Sequence, residues 1–303
     1  MGINMQWLEQ YLVDRNGFPR PNWEGIYKEV ERNYQDCDQH RLWDDIANSW
    51  MKRFCSALSS GYRVHETENF LLLTSESDKY VALLCEFLER TLKRILTMLH
   101  GIAADNGYGK HIVVIFDDID MYYAYLSDFY SLDGEYGLSA GVYLNRGYGH
   151  FALPHQELSY TEQIVAHELT HALLVHLPIP AWLNEGMAVG VEHLVTGLNP
   201  LVMDEEMYGK HQAFWNEEEI QSFWSGGAFN RADEAQELSY HLARFMVNSL
   251  SQDYETFIVF ANKANWEDSG EAAAQETYGA SLGNLITQYF GEADWAPNPT
   301  LWK

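Results

Sequence analysis

The chain has 303 residues, 47% of them hydrophobic, and a formal net charge of −25. It is long enough to bury one large core or two closely packed ones. So negative a surface repels phosphate, which excludes nucleic acid and anionic membrane as expected partners and favours neutral or cationic ligands.

Residues 1–60 are rich in Trp, Tyr, Arg and Asp and read as a helical N-terminal extension broken at Pro19 and Pro21. Trp7, Trp23, Trp43 and Trp50 are expected to pack against the body. From 61 to 155 the signals alternate. Phe70–Thr74 reads as a strand, Asp78–Leu99 as an amphipathic helix and His111–Phe116 as a buried strand, followed by a helix over Ile119–Phe129. Short strands are expected at Gly141–Asn145 and His150–Leu153, around a turn at Gly147 and Gly149. From 156 to 303 the pattern is mainly helical. The expected class is α+β: a small mixed sheet with helices, then a mainly helical C-terminal half.

The chemistry concentrates at the start of that half. Ser159-Tyr160-Thr161-Glu162 has the pattern of a capping box opening a helix. His167-Glu168-Leu169-Thr170-His171 follows on it. Histidines at i and i+4 lie one turn apart on one helix face, so both imidazoles can hold one metal ion. Glu168 sits beside that face as a general base for a metal-bound water. Ile164, Val165, Leu169, Leu173 and Leu174 give the helix a broad apolar surface, and Pro178 and Pro180 end it. A second helix is expected from Pro180 or Ala181, with Trp182, Leu183, Met187, Val189 and Val191 turned inward. Glu185, early in that helix, is the best third ligand. Two His and one carboxylate suit zinc and leave a fourth position open, so one Zn2+ per chain is the expected cofactor.

Other ligands fare worse. The metzincin pattern needs Gly and His three and six residues after the second histidine, where this chain has Leu174 and Leu177. His176 is about 140° round the helix from His171 and reads as a helix-end histidine. Glu192, two turns beyond Glu185, is either a carboxylate that orients a ligand histidine or a solvated one.

The run HELTHALLVHLPIPAWLNEGMAVGVEH resembles the gluzincin zinc metallopeptidases, most closely the peptidase MA-like group, with Pro180, Trp182, Leu183, Glu185, Gly186 and Ala188 matching. Gluzincins with the longer gap would place their glutamate at Gly190 or Val191, which offer no ligand. The helix Leu238–Met246 and the stretch Ala272–Phe290 are similar to downstream helices of the same proteins. The resemblance implies a zincin-like fold and a peptidase acting on peptide or protein substrates. It also implies that Tyr240 or His241 stabilises the oxyanion; neighbours on one helix diverge by about 100°, so at most one can face the metal. Finally, it implies an edge strand along the cleft that pairs with extended substrate. Gly149–Leu153 is the candidate, with Gly149, Phe151 and Ala152 binding substrate; an ordinary paired strand is the alternative.

Between Leu201 and Tyr240 nine acidic residues face only Lys210 and Arg231. This stretch either favours basic peptides or is a solvated acidic face. Cys37, Cys55 and Cys85 lack ligand spacing and read as reduced thiols. Met1–Gly17 has no apolar core of a signal peptide, and Ala172–Leu183 is too short and Pro-broken to span a bilayer, so a cytoplasmic protein is expected. The second functional reading, from another class, is a noncatalytic zinc-stabilised scaffold or peptide-binding protein. Oligomeric state has no signature in the sequence.

Overall fold

The computed structural model describes residues 5–130, 140–197 and 203–302. The chain forms two compact units, Met1–Arg94 with Asp105–Ala172 and Ile95–Ala104 with Leu173–Lys303.

The first unit opens on a 3₁₀ helix, Met5–Tyr11, and then forms a hairpin. Strands β1 (Leu12–Arg15) and β2 (Phe18–Pro21) pair antiparallel with Arg15 opposite Phe18. Asn16 and Gly17 turn the chain with φ of 50° and 83°, the two positive angles of a two-residue type I′ turn. This corrects the helical reading of 12–21. Pro19 and Pro21 are tolerated because a strand of a two-stranded ribbon has an open side that needs no N–H. Helices α1 (Trp23–Asn33) and α2 (Gln39–Ala57) follow, capped by Asn22 and Asp38, whose side chains accept from the N–H groups of Gly25 and Arg41.

Next come β3 (Arg63–Glu66), β4 (Phe70–Thr74), α3 (Asp78–Met98), β5 (His111–Phe116), α4 (Ile119–Leu126), β6 (Val142–Leu144), β7 (His150–Pro154) and α5 (Leu158–Leu174). The sheet order is β3-β4-β5-β7-β6. Its three central strands run parallel and both edge strands antiparallel. Leu71, Leu73, Ile112, Val114 and Ala152 join one core with Leu42, Ile46, Trp50 and Phe54 of α2. The alternate residues Phe70, Leu72, Val113 and Phe151 are also buried. Both faces are therefore covered, which is why the central strands read as continuous apolar runs. Leu8, Phe18 and Trp43 belong to the same core, with Trp7 and Trp23 packed against it. The N-terminal aromatics thus pack, as expected.

The strand His150–Pro154 is not an edge. It lies between β5 and β6, and the edge strand is Val142–Leu144. A strand with a neighbour on each side has no free backbone row to offer a substrate.

The second unit is helical: α6 (Ala181–Thr196), α7 (Glu205–Phe214), α8 (Ile220–Trp224), α9 (Glu234–Leu250), α10 (Tyr254–Lys263), α11 (Glu271–Tyr278) and α12 (Leu282–Phe290). Pro180 precedes α6 with extended backbone and Gly197 ends it at φ 73°. Helix α6 lies close on α9 because two glycines one turn apart remove the side chains between them. A Cβ on Gly186 would stand 2.5 Å from the Ala243 carbonyl oxygen, and one on Gly190 2.8 Å from Nη1 of Arg244. Trp182, fully buried, donates its indole N–H to the Ser269 carbonyl at 3.0 Å and so fixes the start of α6. No helix among the described residues is long and apolar enough to cross a membrane.

Gly186→Ala forces a methyl into backbone and should destabilise the protein by about 1–3 kcal/mol. Gly209→Ala, in an exposed stretch of α7 with nothing near its Cβ, should instead stabilise by up to about 1 kcal/mol. Urea unfolding of the two variants beside the parent checks both signs.

Candidate metal centre

Helix α5 sorts its residues by face. Val165, Ala166, Leu169 and Leu173 are fully buried. Ile164, His167, Glu168 and His171, spaced i, i+3, i+4 and i+7, form a half-exposed stripe along the other side. The helix begins at Leu158, one residue ahead of Ser159, so the anticipated capping box does not form its first turn. The hydroxyl of Thr161 instead pairs with Tyr80 Oη at 2.7 Å.

The imidazoles of His167 and His171 stand with centroids 4.7 Å apart and planes at 82°. The ligand atoms of His167, His171 and Glu185 all lie within 4.8 Å of one another, the one such grouping among the described residues. These are the three ligands the spacing selects, and two imidazoles with a carboxylate fit a zinc ion. His176 is exposed beyond the end of α5. Glu192 is half-buried on α6, two turns after Glu185.

Glu168 is held from the sheet. The backbone N–H of Tyr143 in edge strand β6 donates to Glu168 Oε2 at 2.7 Å. In an antiparallel pair a residue's N–H and C=O point the same way, so the Tyr143 carbonyl also turns outward from β7. Gly141 makes the approach possible: a Cβ there would lie 2.5 Å from Cγ2 of Ile164, one turn before Glu168. Neither Tyr143 nor Gly141 is visible as a site residue in the sequence. A backbone donor has no side-chain signature, and a lone glycine beside a short strand is a weak one.

The expected substrate residues Gly149, Phe151 and Ala152 lie elsewhere than foreseen. Phe151 and Ala152 are buried inside the sheet, and Gly149 backs onto the Tyr143 ring, whose Oη an added Cβ would overlap. His150, between them, is buried, with Nδ1 3.0 Å from the Tyr148 carbonyl and Nε2 2.6 Å from Tyr125 Oη. The carbonyl can only accept, so Nδ1 carries the proton and Nε2 receives the Tyr125 hydroxyl. Burial pushes the His150 pKa down to about 4.

Tyr240 and His241 meet different surroundings on α9. Counting about 100° per residue, Tyr240 shares the side of Ala243, Arg244 and Val247, which meets Gly186 and Gly190 of α6. His241 points to α7, where its Nδ1 is 2.9 Å from His211 Nε2. The Trp215 indole N–H donates to His211 Nδ1 at 2.9 Å. His211 must then donate through Nε2, and His241 accepts at Nδ1. Burial drives the His211 pKa down to about 3.

The acidic stretch is in good part local structure. Asp204 caps α7 and Asp233 caps α9, while Glu219 and Asp233 both hold Arg231. Leu201 and Val202 lie outside the described residues.

No family model matches this sequence, and no curated protein matches it.

Acid should destabilise the fold through its buried histidines. The unfolded chain protonates them near pH 6.5, the folded chain only near 4 for His150 and 3 for His211. Below the unfolded value the unfolded state binds more protons, so stability falls with pH, by at most about 1.4 kcal/mol per pH unit for each histidine. Denaturant unfolding between about pH 7 and about pH 5 should show this slope, and a flatter one in His150→Gln.

Proposed function

We propose that the chain is a zinc-dependent peptidase of gluzincin type and zincin-like fold, hydrolysing peptide bonds in peptide or protein substrates. The observation that carries this reading is the meeting of His167, His171 and Glu185 ligand atoms within 4.8 Å, with a second carboxylate, Glu168, on the half-exposed stripe of α5 that carries the histidines. A site built only for structural zinc has no use for that carboxylate beside an open position. When bound, the ion would supply an acidified water and a polarised carbonyl.

The protein's own groups do the rest. Glu168 takes the water's proton and returns it to the leaving amine. The Tyr143 N–H on Oε2 sets the orientation of that carboxylate before substrate arrives. Substrate binds extended along the outer edge of β6, donating to the outward-turned Tyr143 carbonyl while the Tyr143 N–H stays on Glu168; this role, expected at Gly149, Phe151 and Ala152, falls to Val142–Leu144. Tyr240 is the oxyanion donor in this reading, since it lies toward the helix that carries Glu185 while His241 is engaged by His211. Such a donor is worth about 3 kcal/mol in the transition state. Its three cysteines are free, which fits a reducing compartment, and we place the enzyme in the cytoplasm.

The test pairs metal analysis with activity. After reconstitution the protein should hold about one zinc per chain, weakened in Glu185→Ala. Glu168→Gln should keep the zinc and lose hydrolysis of a quenched-fluorescence peptide library by about 10²–10⁴-fold. No stoichiometric zinc in the parent would overturn the metal site. Zinc retained with full activity in Glu168→Gln would overturn the mechanism, and zinc with no hydrolysis in the parent would favour the noncatalytic scaffold.

A further inference from the structure

A cavity of about 160 Å³ opens within the first unit, and its lining departs from the character of the chain. In a protein with net charge −25, three arginines, Arg15, Arg20 and Arg146, border one space with a single carboxylate, Asp128. Aromatic rings of Trp23, Trp50 and Phe129 form much of the remaining wall.

Arg20 is the core of this arrangement. It is only 9% exposed, and its guanidinium carbon lies over the Tyr125 ring, 3.8 Å from the centroid. Nη2 donates to the Tyr125 carbonyl at 2.6 Å. Nε stands 2.9 Å from Asp128 Oδ2, an ion pair without hydrogen-bond geometry, and buried Nη1 has no hydrogen-bond partner among the described residues. A buried cation with an unmet donor is costly unless an acceptor completes it. Asp128 is itself shared, because Asn16 donates to its other oxygen at 3.2 Å.

The other two arginines are exposed, and neither has an ion-pair partner among the described residues. Arg15 is held by the hairpin, opposite Phe18. Arg146 precedes Gly147, whose φ of 73° and missing Cβ let the loop lie directly against the Trp23 ring. Two unpaired guanidinium groups are thus kept beside a third, in a chain with acidic residues to spare.

We propose that this cavity binds a small ligand with a planar apolar body and one oxyanion, a carboxylate or a phosphate. The oxyanion would take Nη1 of Arg20 and the charges of Arg15 and Arg146, since guanidinium groups match both anions. The ring would lie among Trp23, Trp50 and Phe129. A cavity of about 150 Å³ is known to accept a benzene ring, so the space suits a monocyclic body. This site uses none of the residues of the metal centre and stands without the peptidase reading.

Two wall residues are tryptophans, so their fluorescence reports occupancy. The full chain is titrated with benzoate, phenyl phosphate and the neutral control benzamide, with calorimetry alongside. Saturable binding of an anionic probe at least about tenfold tighter than benzamide is expected. The stronger anion then tells carboxylate from phosphate. In the double variant Arg15→Ala/Arg146→Ala, whose exposed side chains leave the fold intact, that affinity should drop about tenfold or more. Arg20→Lys should weaken it further, and zinc should leave it unchanged. Benzamide binding as tightly as the anions, an unchanged affinity in the double variant, or no saturable binding of either anion would each overturn the proposal.

Discussion

One hydrogen bond ties the sheet to the chemistry: the Tyr143 N–H on Glu168 Oε2. It exists only because several other features hold. Strand β6 must be the last in the sheet, since an interior strand would give its N–H groups to neighbours on both sides. Gly141 must lack a side chain, or Ile164 would hold the strand away from α5. And α5 must turn its apolar residues inward so that Ile164, His167, Glu168 and His171 fall together on the opposite side. Sheet order, one glycine and helix amphipathicity therefore converge on a single carboxylate.

Local pattern made much of this legible. Phe70–Thr74 and His111–Phe116 were readable as strands to the residue, because runs of buried apolar side chains declare central parallel strands. Helix α3 and the Pro-marked junction of α5 and α6 were equally plain. The pairing of His167 with His171 followed from helical spacing, and Glu185 from its place early in the helix after the Pro-marked turn. Strand order did not, because it is a property of long-range pairing. His150–Pro154 and Val142–Leu144 look alike as short apolar segments, and only the register shows which is flanked twice. The β1–β2 hairpin was overlooked although Asn16-Gly17 is a strong turn signal; the prolines beside it argued for a break instead of an edge strand. The surroundings of His241 were beyond reach too, since His211 meets it from 30 residues away and is itself held by Trp215.

Charge is distributed with purpose as well. Asp204, Asp233 and Asp253 cap helix starts, and Glu271 accepts from the Leu282 N–H at the start of α12. Such uses stabilise the second unit locally and say little about substrate preference. Arg15, Arg20 and Arg146 of the first unit are the exception, gathered around one cavity.

The sheet's connectivity has a kinetic consequence. The pairings Phe70 with His111 and Ile112 with His150 join residues about forty apart, so their loop-closure entropy must be met before the parallel strands gain anything. The β6–β7 hairpin and α5 can form early, because their contacts are local. The Tyr143–Glu168 bond joins these early elements, since it runs from β6 to α5 across 25 residues. In the proposed peptidase the general base can thus meet the donor that orients it before the parallel strands of the sheet have closed.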